Sequence, residues 1–315
     1  MSEAKPEKRL VNRVAFVILH YGDPSVTDDC VASILRMDGV CQKPDGQRRS
    51  CPEVRVIIVD NDARLPAEQR IAFAKRYQDR DIVSVIQAPV GAGFSFANNL
   101  GYAYARGRLH ADCIIVCNND IEFPQPDFLR RLSRSVSRMR CHVLGPRIVR
   151  RSTHEPQNPM DTRLRTVDEA RYTIDMNRRA LALFPVMYPV LTLLEKWQER
   201  RQRLAKQKEA GYYREPHLHI IPFGACLIFT PLFVKEEPKA FEPETQFYYE
   251  EYILANRCFQ KGYETGYDPS MRVLHETGSA TRQSRKSKRE GMRLMMERTA
   301  SACEIYLEEL GKRDG

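Results

Sequence analysis

The sequence lacks several patterns that would assign it to a class at once. No segment reaches the roughly 18 to 20 consecutive apolar residues of a membrane span, and the nearest, residues 180–194, is interrupted by Pro185 and Pro189. There is no internal repeat and no low-complexity tract. Residues 1–10 are charged and lack the apolar core of a signal peptide, so we expect a cytoplasmic protein.

Signals for disulfides and zinc are also weak. The nine cysteines are an odd number and none lies in a CxxC motif, while Cys113 and Cys117 fall within an apolar, strand-like run. This usage is typical of reduced thiols rather than of a disulfide framework. A zinc site at Cys41 and Cys51 stays a minor alternative, because the usual metal-ligand spacing is absent.

The composition is that of a soluble globular protein with a basic surface. Among 315 residues, 42% are hydrophobic and 29% are charged, which excludes global disorder. Fifty Lys and Arg against 41 Asp and Glu leave a net charge of +9, which favours anionic partners. Nucleic acid is not expected among them, because the basic residues are not interleaved with aromatic stacking platforms.

In the first half of the chain, apolar runs alternate with helix-like segments. The runs predict strands at 14–19, 54–59, 82–86 and 113–117, and the segments between and after them predict helices at 26–37, 66–77, 94–105 and 127–139. This alternation is typical of an α/β fold with a mostly parallel sheet flanked by helices. Ligands of such folds bind beyond the carboxyl ends of the strands, so the residues that follow the strands are the first candidates for a site.

The second half is less regular. Residues 147–215 are rich in Arg, Lys, Gln and Pro and are interpreted as a helical, basic insertion. After them we predict a strand pair at 217–230, around a glycine at 224, followed by a helix at 250–261 and a strand at 271–274. Residues 286–310 carry apolar side chains at helical spacing and predict a C-terminal amphipathic helix.

Carboxylates follow two of the predicted strands. IIVDND contains Asp60 and Asp62, and CNND ends in Asp120. Hard oxygen ligands at the ends of neighbouring strands suit Mg²⁺ or Mn²⁺ held together with substrate phosphates. The alternative, that Asp60 and Asp120 are turn or helix-cap residues, is equally open from spacing alone.

Other polar motifs are weaker by themselves. GAGFSFANNLG, residues 91–101, has glycines that would let a ligand approach and Asn98 to bind a base or ribose, but it is neither GxGxxG nor a phosphate loop. Glu250 and Glu251 open a predicted helix, where the helix dipole alone favours acidic residues. An aromatic surrounding would also raise the pKa of a carboxyl, which suits a general base.

A histidine and a basic stretch follow the last predicted strand. His275 comes directly after it, and a lone histidine is normally a packing residue. Arg282 and Arg285 lie in the polar stretch that follows. That stretch is interpreted either as a lid over a diphosphate or as a solvated basic loop.

Taken in order, seven segments resemble the family 2 glycosyltransferases, especially rhamnosyltransferase-like and capsular polysaccharide enzymes. The segments are FVILHYGDP (16–24), IIVDND (57–62), GFSFANNLGYAYA (93–105), CNNDIEF (117–123), FGACLIF (223–229), FYYEEYILANRCFQKGY (247–263) and YDPSMRVLHETGSA (267–280). The resemblance implies a GT-A fold, a nucleotide-diphosphate-sugar donor, Mg²⁺ or Mn²⁺, and inversion at the anomeric carbon. It also implies a glycan or lipid-linked sugar as acceptor, in bacterial surface polysaccharide synthesis.

The resemblance implies roles for individual residues as well. Glu251 falls at the catalytic carboxylate, with Glu250 beside it, and Asp120 and His275 fall near the metal and the donor diphosphate. Asp60 falls at the nucleobase. The full nucleotide-sugar-binding set is His20, Asp60, Asp62, Gly93, Asn98, Asn119, Arg282 and Arg285. Two departures from the family pattern are the single carboxylate of CNND and the EE in place of ED, so which glutamate faces the acceptor stays open.

The composition and the resemblance together divide the chain. We expect a flexible N-terminus (1–11), a nucleotide-sugar-binding half (12–146), the insertion (147–215), an acceptor and catalytic half (216–280), and a basic loop with the C-terminal helix (281–315).

The insertion holds an apolar patch, 180–194, with Lys and Arg on both sides. Such a patch is typical of an interfacial segment on an anionic leaflet, here the inner face of the cytoplasmic membrane. A helical hairpin packed on the catalytic domain or on a second subunit of a homo-oligomer is the alternative.

Two other functions stay open from the sequence. A sugar nucleotidyltransferase also uses a parallel sheet with metal-binding carboxylates, although we find no Gly-rich triphosphate loop near the N-terminus. A catalytically inactive, glycosyltransferase-like scaffold would fit the two departures from the family pattern.

Overall fold

The computed structural model describes residues 11–40, 52–62, 64–208, 211–276 and 287–312. Four residues singled out above lie outside these ranges: Cys41, Cys51, Arg282 and Arg285.

Strands and helices alternate through the described chain. The strands are β1 (Arg13–His20), β2 (Glu53–Asp60), β3 (Val83–Gln87), β4 (Cys113–Asn118), β5 (Ile121–Glu122), β6 (Val143–Arg150), β7 (His217–Leu218), β8 (Cys226–Phe229) and β9 (Thr265–His275). The helices are α1 (Pro24–Leu35), α2 (Ala67–Lys75), α3 (Phe94–Gly107), α4 (Phe128–Met139), α5 (Val167–Ala182), α6 (Phe184–Lys208), α7 (Pro231–Glu236), α8 (Glu250–Gln260) and α9 (Lys288–Gly311).

One half of the sheet is parallel. The strands lie in the order β3-β2-β1-β4-β8-β6-β9-β5, and the first four are parallel to one another. Their registers bring the carboxyl ends into line, with His20 opposite Asp60 and Leu19 opposite Asn118. The mostly parallel sheet flanked by helices is therefore confirmed, and the residues after these strands share one edge.

The other half of the sheet is mixed. β8 pairs antiparallel with β4 and β6, β9 runs parallel to β6, and β5 and β7 pair antiparallel with β9. The predicted strand pair at 217–230 is wrong, because β7 and β8 pair with other strands rather than with each other. β6 was not predicted, and it lies across the proposed boundary at residue 146.

The sheet is buried on both faces, which explains the continuous apolar strands. Phe16 and Ile18 of β1 belong to the core cluster that also holds side chains of α1 and α4. Val17 and Leu19 point to the opposite face, beneath α3. At Gly101 of α3, an added Cβ would lie 2.3 Å from Val17 Cγ1, so only glycine lets α3 pack this closely on the sheet.

A third cluster joins α5, α8 and α9. It includes Ile174, Tyr252 and Tyr306. The Tyr306 hydroxyl donates to the carbonyl of Arg165, just before α5. The predicted C-terminal amphipathic helix is thereby confirmed, and it packs against both the first helix of the predicted insertion and the helix that begins with the two glutamates.

α6 follows α5 directly, and after the buried Phe184 its described side chains are exposed or partly exposed. It has 25 residues, with Pro189 inside it. Among the residues that the structure describes, no helix combines the length and apolar character required to cross a membrane.

Candidate active site

His20 lies at the carboxyl end of β1, fully buried. Its ring stacks on Phe73 of α2 with 3.9 Å between centroids, and its Nδ1 is 2.7 Å from the Thr27 hydroxyl. Burial lowers the pKa of His20 and outweighs the attraction of Asp60 and Asp62, so the ring is neutral at neutral pH. His20 Nε2, which is buried, has no hydrogen-bond partner among the described residues.

Asp60, at the end of β2, is held by an arginine that the sequence did not predict for the site. Arg70 Nε donates to Asp60 Oδ2 at 2.8 Å, and its Nη2 donates to the carbonyls of Asp60 and Ala88. Both side chains are buried. Because two buried, paired charges fix each other's geometry, the carboxylate of Asp60 has a defined orientation at the end of the strand.

Asp62 links the loop after β2 to the loop after β1 by hydrogen bonds. It accepts from Arg64 through both oxygens, at 2.7 and 2.6 Å, and from the Gly22 amide at 3.0 Å. Burial raises the pKa of Asp62, but the hydrogen bonds from Arg64 and Gly22 outweigh burial and leave the pKa below its ordinary value. Arg64 also covers the ring of Tyr21, so the loops after β1 and β2 are held together by both residues.

Asn119 connects the end of β4 with the end of β1. Its amide nitrogen donates to the Thr27 hydroxyl at 3.0 Å and to the Tyr21 carbonyl at 3.2 Å. Thr27 also contacts His20. A chain of polar contacts therefore runs from the CNND motif to His20, both of which were predicted for the nucleotide-sugar site.

Asp120 and His275 lie together, as the two predicted metal residues require. His275 Nε2 is 3.3 Å from Asp120 Oδ1, and both side chains are 5% exposed. His275 Nδ1 lies 2.8 Å from Gln157 Oε1, which fixes the ring. A carboxylate and an imidazole fit Mn²⁺ or Mg²⁺ only as a partial set, to be completed by phosphate oxygens and water. No group of three or more His, Cys, Asp or Glu side chains suited to a metal occurs in the described part of the chain.

Glu251 and Glu250 form a buried pair at the start of α8. Glu251 Oε1 accepts from the Gly224 amide at 3.0 Å, whereas Glu250 Oε2 has no hydrogen-bond partner in the described structure. Burial raises the pKa of both carboxyls, and the charge of Glu251 raises that of Glu250 further. The Gly224 amide stabilises the ionised form of Glu251, so Glu251 is the member of the pair that ionises first.

Two tyrosines in a left-handed backbone conformation place these glutamates. Tyr248 has φ 73° and Tyr249 has φ 63°. For residues other than glycine this costs on the order of 1–3 kcal/mol each, and such strain is concentrated at functional sites. The turn that they make directs the first residues of α8 inward, which explains why two adjacent acids are both buried.

The loop before α8 is fastened to the start of α3. The amides of Phe94 and Ser95 donate to the carbonyls of Gln246 and Thr245, and the Ser95 hydroxyl lies 2.9 Å from that of Thr245. A Cβ at Gly93 would lie 2.7 Å from Gln246 Cα. Gly93, predicted for nucleotide binding, thus packs against this loop.

Phe223 and Gly224 connect the Asp120–His275 pair with the glutamate pair. The Phe223 ring lies 5.9 Å from the His275 ring, between centroids, and the next amide, of Gly224, is the one that binds Glu251. Since adjacent Cα atoms are about 3.8 Å apart, this dipeptide brings the Asp120–His275 pair and the glutamate pair into the same region of the structure.

The remaining predicted residue, Asn98, is fully buried in α3. Its amide nitrogen donates to the Phe94 carbonyl, and its Oδ1 has no partner in the described structure. Gln157 and Arg70 were missed by the sequence analysis. No local motif marks either residue: Asp60 lies ten residues before Arg70, and His275 lies 118 residues after Gln157.

Comparison with known proteins identifies the family of the chain. The sequence matches Glycosyl transferase family 2 over residues 15–217. No curated protein matches the chain in sequence.

Two solved structures resemble the fold. One is the structure of S. aureus TarS 1-349, with 11% identity and a TM-score of 0.49 over 94% of this chain and 70% of that chain. The other is GalNAc-T7 with UDP, GalNAc and Mn²⁺, with 14% identity and a TM-score of 0.53. That match covers 85% of this chain but only 44% of the GalNAc-T7 chain.

At these identities the structural likeness shows the fold alone, and that fold is GT-A. The family match covers well over half of the chain and supports glycosyl transfer as its activity. The chain belongs to glycosyl transferase family 2.

Proposed function

We propose that this chain is an inverting, metal-dependent glycosyltransferase. It moves a sugar from a nucleotide-diphosphate-sugar donor to a hydroxyl of a glycan or lipid-linked acceptor. Its place is in the synthesis of bacterial surface polysaccharide. The observation that carries the proposal is that the Asp120–His275 pair and the buried Glu250–Glu251 pair lie on either side of the adjacent residues Phe223 and Gly224.

The donor nucleotide lies at the aligned ends of β1 and β2. Asp60 is oriented there by Arg70, and the unpartnered Nε2 of His20 is a hydrogen-bonding group for the bound nucleotide.

Asp120 and His275 would hold Mg²⁺ or Mn²⁺ together with the donor diphosphate. When bound, such an ion neutralises charge on the leaving diphosphate. GalNAc-T7, which shares the fold, was solved with UDP and Mn²⁺, and this supports the same requirement here.

Glu251 is the general base. It takes the proton of the acceptor hydroxyl while that oxygen forms a bond to the anomeric carbon. The bond from this carbon to the diphosphate oxygen breaks, and the attack comes from the opposite face, which inverts the configuration. Glu250 stays protonated, because burial and the neighbouring charge of Glu251 both raise its pKa. A well-placed base contributes about 10²- to 10⁴-fold in rate.

The test is a thermal-shift panel on the purified chain with UDP, dTDP, GDP and CMP, each with and without Mn²⁺ or Mg²⁺. A nucleotide at about 100 times its dissociation constant adds roughly 2.7 kcal/mol of stability. We expect one nucleoside diphosphate to stabilise the protein only with metal, and Asp120→Ala to remove this metal-dependent part. Asp168→Ala, at the exposed start of α5, is the matched control.

Several outcomes contradict the proposal. If no nucleotide shifts the melting temperature, or if Asp120→Ala leaves the metal-dependent shift intact, the donor site is not the one described. Nucleotide binding without any sugar transfer would favour the inactive scaffold. Release of pyrophosphate from a nucleoside triphosphate would favour the nucleotidyltransferase.

A further inference from the structure

α6 presents an apolar face to solvent. We call this face the outer stripe; it is formed by residues spaced three, four or seven apart, which share one side of a helix. Its members are between 46% and 79% exposed, and they are Val186, Val190, Leu193, Leu194, Trp197 and Leu204. An exposed apolar surface of this kind marks an interaction site rather than a folding requirement.

The opposite side of α6 faces the protein body. Phe184 is 5% exposed, and Arg289 of α9 lies over its ring and over that of Tyr188, at 5.9 and 5.7 Å from the centroids. At 3.6 residues per turn, these two aromatic residues lie about half a turn from the outer stripe. The first turns of α6 are therefore anchored in an orientation that keeps the stripe outward.

Charges on α6 are distributed by side. Lys196 and Arg200 lie along the edge of the outer stripe, and Arg201 lies on it, with its guanidinium 5.2 Å from the centroid of the Trp197 ring. Glu195 lies on the opposite side, following the helical period. The outer stripe itself contains no Asp or Glu.

We propose that the outer stripe docks α6 on the surface of an anionic phospholipid bilayer. The helix would lie in the plane of the interface, with its apolar side chains at the acyl boundary and its cations among the headgroup phosphates. A helix with an apolar side, cations at its edges and little overall hydrophobicity is suited to that position. Each Lys or Arg near such a surface adds attraction to anionic lipid.

The same charges disfavour a second copy of the chain as the occupant. A symmetric contact through the outer stripe would bury Arg200 and Arg201 without a carboxylate on the stripe to pair with them. Burying unpaired charges is strongly unfavourable. Headgroup phosphates supply the missing anions, and the docking does not depend on the proposed transferase activity.

The chain carries its own reporter, because Trp197 is its only tryptophan. We would titrate the full chain with vesicles of phosphatidylcholine alone and with vesicles that also contain phosphatidylglycerol, and record tryptophan emission and co-sedimentation. We expect a blue shift and sedimentation only with phosphatidylglycerol, both weakened in about 1 M salt, where the Debye length falls to roughly 3 Å.

Variants separate the two contributions. Arg200→Gln with Arg201→Gln should weaken vesicle binding roughly 10- to 30-fold, and Leu193→Ser with Trp197→Ser should weaken sedimentation more than about tenfold. Matched controls are Lys75→Gln with Arg134→Gln for charge and Leu232→Ser with Phe259→Ser for exposed apolar side chains. The controls should sediment as the wild type does.

Equal binding to both kinds of vesicle, or no binding to either, would overturn the proposal. A blue shift that grows with protein concentration in the absence of vesicles, and that Leu193→Ser removes, would assign the stripe to self-association instead. The nucleotide thermal shift of each variant shows separately whether the donor site is intact.

Discussion

Replacing Gly224 by alanine should damage catalysis without removing any catalytic group. An added Cβ would lie 2.7 Å from Glu251 Oε1 and 3.2 Å from Glu251 Cδ, where ordinary contacts begin at 3.4 Å. Either the Glu251 carboxylate must therefore move away by at least about 0.7 Å, or the backbone that leads into β8 must shift. A misplacement of about 1 Å at a reacting group costs roughly 10²-fold in rate, so we expect kcat to fall between tenfold and a few hundredfold.

The assay follows release of the nucleoside diphosphate from the nucleotide sugar whose base stabilises the protein in the thermal-shift panel. KM for the donor should change little, because Gly224 contacts the glutamate rather than the predicted donor residues. Gly107→Ala is the matched control, since a Cβ there meets nothing within 4 Å. A Gly224→Ala enzyme with wild-type kcat would refute the assignment of the base to the carboxylate that binds this amide.

Two further predictions concern buried charges. Arg70→Ala should lower the free energy of unfolding by about 3–5 kcal/mol in urea titrations, because it leaves the buried Asp60 carboxylate unpaired; a loss below about 1 kcal/mol would contradict this. Burial raises the pKa of Glu251, so kcat/KM should rise with pH through that pKa. In the Glu250→Gln variant, kcat/KM should rise over the same pH range as in the wild type, because Glu250 is already protonated there. A rise that moves to lower pH would show that Glu250 carries the charge.

The parallel half of the fold was predictable from the sequence, and the mixed half was not. β1, β2 and β4 are buried on both faces, so their apolar runs are continuous and the strand signal is strong. β6 contains Gly145, Pro146 and Arg147, which interrupt that signal, and its position depends on pairing with β9, more than 100 residues later in the chain. A pairing between strands this far apart cannot be predicted from the local sequence.

The candidate site was also predictable only in part. Asp60, Asp120, His275 and the glutamates were identified by motifs, and the structure brings Asp120 to His275 as expected. Their supporting partners were not identified, since Arg70 and Gln157 act only once the chain has folded. The order in which the two glutamates ionise also needed the structure, because it depends on the amide of Gly224.

The most direct test of the central claim is the Glu251→Gln variant, which removes the base but keeps the size of the side chain. We predict that it binds the donor nucleotide and metal as the wild type does in the thermal-shift panel, while sugar transfer falls about 10²- to 10⁴-fold. A Glu251→Gln enzyme that binds donor and transfers sugar at the wild-type rate would contradict the claim that Glu251 is the general base of the reaction.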